Sequence, residues 1–218
     1  MEQIDHKELY CLQDEILDLV FAKETEFYLT GGTCLNRYYF EKRYSDDLDL
    51  FTNFSETFAY STRELIDKIT QSNFASKKLV DSKDFIRINV FKNENDIQLQ
   101  VDFVNDRVKR FGDFTHHKGY ILDNPLNILS NKISAVIGRD NPKDIFDIYL
   151  ISQNCTFNWS DILDNAKEKL YFQKEDLLYR LQSFPISLLK RLKTTDEHFL
   201  DDFESNFANI IDDIKESD

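Results

Sequence analysis

Glycine and proline are scarce in this chain, five and three in 218 residues, which leaves little room for flexible linkers or low-complexity segments. Cysteine is scarce as well. Cys11, Cys34 and Cys155 are odd in number, widely spaced and without a CxxC pair. That excludes a disulfide framework and argues against a zinc site, and reduced thiols are expected. No apolar run approaches the 18 residues of a membrane span. The opening "MEQIDHKELY" lacks the basic start and apolar stretch of a signal peptide, so a cytoplasmic protein is expected.

What is present describes a soluble globular chain: 41% hydrophobic and 31% charged residues, long enough for one sizeable core or two small subdomains. The net charge is −13. Residues 194–218 hold nine acids and one lysine, and so account for −8 of it. Basic groups elsewhere (Lys77 and Lys78; Arg107, Lys109 and Arg110; Lys190, Arg191 and Lys193) read first as solvated surface. Net charge therefore neither requires nor excludes a nucleic-acid partner.

Apolar spacing predicts a helix over 7–23, a short strand in "FYLTGG", a helix over 33–42 and a strand in "DLDLF". A helix over 56–71 follows, with Ser55 as its N-cap. Residues 76–104 read as a β-meander with turns "SKD" and "NEND". In its last strand Ile97, Leu99, Val101 and Phe103 share one face, and Gln98, Gln100 and Asp102 share the other. From Asn124 the pattern is helical: 125–138 and 142–153, each opened by Asn-Pro, then 159–170, 174–183 and 195–214. The expected fold class is α+β, a mixed sheet with flanking helices over residues 1–115 followed by a helical bundle over 116–218. His116 and His117 have no ligand partner at metal spacing and are expected in a loop. Trp159 and the many Phe are expected in the core.

Chemistry concentrates in "LTGGTCLNRYYFEKRYSDDLDLF", residues 29–51. On a strand Asp47 and Asp49 point the same way, with Cα atoms about 6.6 Å apart. Like charges so placed need a positive neutraliser, and a divalent ion that takes carboxylate oxygens and leaves positions for phosphate suits them. Asp102, on the polar face of a later strand, is a candidate third carboxylate. Three converging acids are what two-metal phosphoryl or nucleotidyl transfer requires. Gly31 and Gly32 end a strand and open a helix, where backbone N–H groups and the helix dipole attract phosphate oxygens. Thr33 adds a hydroxyl. A DxD or a Gly pair alone is common on surfaces; the ordered combination is far more specific.

These residues carry a resemblance. "GGT-x-L" followed by "R-Y-S-D-D-L-D-L-F" resembles the nucleotidyltransferase AbiEii/AbiGii toxin family, a branch of the DNA polymerase β-like nucleotidyltransferase superfamily. Arg43, Ser45, Asp47, Asp49, Leu50 and Phe51 match its pattern; Lys42 stands where His is common and Cys34 where Ala is common. "SNKISAVIGRDNPKDIFDIYLI", residues 130–151, is similar to its second region, and the resemblance spans residues 25–151.

The resemblance implies that Asp47 and Asp49 bind metal and nucleotide phosphates, with Asp102 as the third carboxylate. Ser45 would hold the loop, Lys132 would contact phosphate, and Asp144 or Asp147 would be the late acid. Asp144 has a bland alternative as an acid at N3 of its helix. Asp147, mid-helix among apolar residues, needs a partner. Arg43 and Arg139 suit either phosphate or a nearby acid. The implied activity is Mg²⁺- or Mn²⁺-dependent transfer of NMP from an NTP to an acceptor hydroxyl, an RNA such as the tRNA 3′ end, by a toxin of a toxin–antitoxin or phage-abortive system. A cognate antitoxin is the expected protein partner. A protein or small-molecule acceptor, or a non-catalytic binding module, are the competing readings.

Overall fold

The computed structural model describes residues 5–92 and 97–217. The "NEND" turn lies outside them. The chain divides into two compact units, each discontinuous in sequence.

The first unit comprises Met1–Cys34, Ser45–Val108 and Phe114–Asp123. It holds helix α1 (His6–Phe21) and strands β1 (Tyr28–Thr30) and β2 (Asp47–Asn53). Helix α3 (Phe58–Gln71) and strands β3 (Phe74–Asp81), β4 (Phe85–Lys92) and β5 (Gln98–Asp106) follow, then β6 (Thr115–His117) and β7 (Tyr120–Leu122). Helix α2 (Gly31–Tyr38) leads out of it. Among the described residues the sheet has seven strands in the order β3-β4-β5-β2-β1-β7-β6. The β2/β5 and β1/β7 pairs are parallel and the others antiparallel.

α1 is amphipathic with a period near 3.6: Leu9, Leu12, Ile16 and Val20 are buried. Asp5 caps it by accepting from the N–H groups of Lys7 and Glu8. Leu48, Ile88, Leu99 and Val101 are buried between polar neighbours on the same strands, the alternation of a sheet with one apolar face. α3 begins two residues later than expected, because Ser55 caps a turn instead: its Oγ accepts from Thr57 N–H at 3.1 Å. His116 and His117 are on an edge strand, not in a loop. Lys118 and Gly119 both take positive φ (52° and 90°). That is the two-residue hairpin geometry matched to strand twist, and it closes β6 onto β7.

The second unit comprises Leu35–Tyr44, Lys109–Asp113 and Asn124–Asp218. Helices α4 (Pro125–Gly138), α5 (Pro142–Asn154), α6 (Trp159–Lys169), α7 (Lys174–Ser183) and α8 (Phe203–Glu216) build it, with a 3₁₀ turn at Ile186–Arg191. The two Asn-Pro starts behave as expected. Asn124 accepts from Asn127 N–H and Asn141 from Lys143 N–H, with Pro at the position that needs no donor.

The expected helix over 195–214 is shortened to α8. Tyr44 N–H donates to Lys193 O, Thr195 N–H donates to Lys42 O, and Arg43 bridges Thr194. Those pairings hold the chain extended at 193–195, so a helix cannot start there. Phe199 then packs between Phe146 and Tyr149, at ring distances of 5.3 Å from each. Among the described residues no helix is long and apolar enough to cross a membrane.

Candidate active site

Strand register in the first unit sets a polar row across one face of the sheet. Arg87 on β4 pairs with Asp102 on β5, Asp102 with Asp49 on β2, and Asp49 with Thr30 on β1. Residues directly opposite across a ladder present their side chains to the same face, so these four lie in line, and Asp47 shares the face two residues before Asp49. Asp47 and Asp49 are half-buried, between the fully buried Leu48 and Leu50.

The turn after β1 is fitted to Asp49. Gly31 has φ +70°, and a Cβ there would fall 2.1 Å from Asp49 Oδ2. Only a residue without a side chain leaves that carboxylate its place. Thr33 is buried and donates its hydroxyl to the Asp47 carbonyl, which ties α2 to the start of β2. Ser45 is anchored through its backbone: its N–H donates to Tyr10 Oη at 3.2 Å, and its carbonyl accepts from Gln13 Nε2 at 3.0 Å. Thr30 Oγ1 donates to the buried Asp123 at 2.7 Å.

Asp102 has a partner outside the sequence motifs. Arg87 forks onto it, Nε to Oδ1 at 2.7 Å and Nη2 to Oδ2 at 2.6 Å. The same guanidinium also feels Asp49 and Asp47. Among the described residues no three His, Cys, Asp or Glu side chains form a metal-holding group. The donor chemistry nonetheless suits Mg²⁺. That ion keeps several waters and takes one or two carboxylates together with substrate phosphates, and Asp47 and Asp49 offer two hard oxygen donors on one side of one strand.

A second cluster of predicted residues lies inside the helical unit. Arg43, only 2% exposed, grips Asp147 through Nε at 2.9 Å and Nη2 at 2.8 Å. Lys132 Nζ lies 2.8 Å from both Asp144 and Asp147, whose side chains are fully buried. Arg139 adds contacts of 2.7 and 3.0 Å to Asp144. Asn36 donates to Asp147 Oδ1 at 3.3 Å and accepts from Arg43 N–H at 3.2 Å.

Burial alone would push Asp147 up, but Arg43 and Lys132 outweigh it and hold the carboxyl at about 2. Burial opposes Lys132 likewise, and Asp147 and Asp144 hold it above the usual lysine value. Asp144 occupies the first turn of α5, yet its carboxylate goes to Lys132 and Arg139. The partner that mid-helix Asp147 required is therefore Arg43 together with Lys132.

Asn36, Arg87 and Asp123 are the polar residues at these places that the motifs did not single out. Arg87 had a faint signal, as the charged position of "FIRINVFK" that alternates with buried Ile86 and Ile88.

The profile of the nucleotidyl transferase AbiEii toxin family, of type IV toxin–antitoxin systems, matches residues 17–218, and the chain belongs to that family. Its fold is shared by JHP933 from Helicobacter pylori (TM-score 0.68, 17% identity, 99% of this chain and 92% of that one). It is also shared by a nucleotidyltransferase described as putative from H. pylori (0.65, 15%, 98% and 95%). A third structure with the fold is MenT4, the nucleotidyltransferase toxin Rv2826c of Mycobacterium tuberculosis H37Rv (0.64, 16%, 98% and 85%). At such identities the likeness is one of fold. No curated protein matches the sequence.

Proposed function

We propose that the chain transfers NMP from an NTP to a hydroxyl of RNA, the tRNA 3′ end, in the cytoplasm, as the toxin of a pair with a cognate antitoxin. The observation that carries this reading is the fit of Gly31 to Asp49 in a row that continues to Asp102. Asp47 and Asp49 are the residues to hold Mg²⁺ or Mn²⁺. Bound there, the ion would neutralise charge developing on the phosphates.

The backbone N–H groups at Gly31–Gly32 receive phosphate oxygens at the start of α2, while Thr33 and Ser45 brace the turn and the entry to β2. Asp102 is the candidate to accept the acceptor's proton. It shares a sheet face with Asp49, and its two oxygens are held by Arg87; Asp147, held by Arg43, Lys132 and Asn36, lies in the helical unit instead. Lys132 is assigned to phosphate by family resemblance, supported by three cations facing two carboxylates in its cluster. Arg43, bonded to Asp147 and almost wholly buried, is assigned to holding that acid.

The test uses the acceptor's own chemistry. Total tRNA, intact or with its 3′ diol oxidised by periodate, is incubated with the protein, Mg²⁺ and each α-labelled NTP. Label in intact tRNA alone supports the reading. Equal label in both, or label only in protein or small molecules, moves the acceptor elsewhere.

A further inference from the structure

The sheet face differs on the two sides of its acids. Gly31 and Gly32 follow β1, on one side of Asp49, whereas β5 and β4 lie on the other. Nucleotidyl transfer is an in-line displacement, with the attacking and leaving oxygens on opposite sides of the phosphorus. Pyrophosphate received at the glycine turn therefore leaves the β5–β4 side to the acceptor.

That side holds a polar group that nothing satisfies. A second row runs beside the first: Asp47 on β2 is directly opposite Gln100 on β5, and Gln100 directly opposite Asn89 on β4. Asn89 thus shares the face of the acids, while its strand neighbours Ile88 and Val90 are buried on the other. It is only 8% exposed, and its Oδ1 has no hydrogen-bond partner among the described residues. Gln100, opposite it, donates toward Asp102 Oδ2 instead, at 3.4 Å. A buried oxygen left without a donor destabilises the free chain, so packing does not explain an asparagine here; a leucine of similar size would serve the fold better. Asn89 is the diagonal neighbour of Asp102, a separation of about 7–8 Å across a ladder. The missing donor is thus expected beside the hydroxyl that Asp102 faces.

We propose that Asn89 accepts a hydrogen bond from the 2′-hydroxyl of the acceptor's terminal ribose and so selects RNA ends over DNA ends. The inference rests on the RNA-transfer reading above and names what that site reads. In the transfer the 3′-oxygen bonds to the α-phosphorus, the bond from that phosphorus to the bridging oxygen breaks, pyrophosphate leaves toward the glycine turn, and the 3′-proton passes to Asp102. The 2′-hydroxyl, on the adjacent carbon, donates to Asn89 Oδ1, and it is the group by which a protein tells RNA from DNA. Gln100 and Lys77, directly opposite Asn89 on either side, have long rotatable side chains that turn aside for the ribose edge.

The test compares two tRNA acceptors, one ending in a ribonucleotide and the same one ending in a 2′-deoxynucleotide that keeps its 3′-hydroxyl, with the full chain, Mg²⁺ and each α-labelled NTP. The wild type is expected to favour the ribose end at least about tenfold in initial rate, the scale of one hydrogen bond. Asn89→Leu is expected to fold with an unchanged or higher melting temperature and to lose most of that preference; a merely structural role would lower both rates alike and leave their ratio. Equal rates on the two ends in the wild type, or an undiminished preference in a folded Asn89→Leu protein, would overturn the inference and leave the transfer reading standing. Label on neither end would overturn both. Should Asn89→Leu fail to fold, the smaller Asn89→Ala decides by the same ratio.

Discussion

Gly31 and Asp49 are separated by 18 positions and meet so closely that one added carbon would collide with the carboxylate. Gly31→Ala puts a Cβ into the left-handed region, at about 1–2 kcal/mol, and also drives Asp49 from its place. The expected outcome is a folded protein, slightly lowered in melting temperature, with nucleotidyl transfer reduced by at least about 10²-fold, the scale on which loss of one positioned electrostatic group acts. Activity near wild type in a folded Gly31→Ala protein would mean that Asp49 does not need the position it holds. The Gly pair and the alternating acids were legible in the sequence because glycine turns and strand alternation are local. Arg87 was not. A single arginine in an alternating strand acquires meaning only once the register puts it opposite Asp102, and register is a property of two segments.

At the scale of elements, α4, α5 and the segment 35–44 are joined through a buried ionic cluster. Arg43→Met leaves the buried Asp147 with one cation fewer, and Asp147→Asn strands Arg43. Each is expected to cost about 3–5 kcal/mol, the penalty for breaking a buried pair from one side, read as a fall in the urea midpoint. A change below about 1 kcal/mol would show that the cluster does not hold these elements together.

The pH dependence has two edges. Asp147 is lowered from its ordinary value to about 2, so its contribution is fully present above about pH 4 and is lost as pH falls toward 2. Lys132 is raised, so its contribution is present up to about pH 10.4 and is lost as pH rises through the raised value. Urea midpoints measured across both ranges check this, and Asp147→Asn is expected to flatten the acid edge. The Asn-Pro helix starts were readable because capping is local. α8 was overextended toward 195 because the pairing of 193–195 with 42–44 is long-range. The β6/β7 hairpin was missed because three-residue strands around Lys118-Gly119 are too short to show a period.

For the whole molecule, the α+β class was legible from the change in pattern at Asn124. The discontinuity of the units was not, since residues 35–44 and 109–113 are assigned by packing and not by composition. Net charge says little about the acceptor, because −8 of the −13 falls in the last 25 residues. The central claim is that the acids on the sheet face perform nucleotidyl transfer. It is tested most directly by incubating wild-type and Asp49→Ala proteins with Mg²⁺, α-labelled NTPs and total tRNA, following both pyrophosphate release and label in RNA. The account predicts release and labelling by the wild type with one or more NTPs, and at least about 10²-fold less with Asp49→Ala. Equal transfer by the two proteins would contradict it.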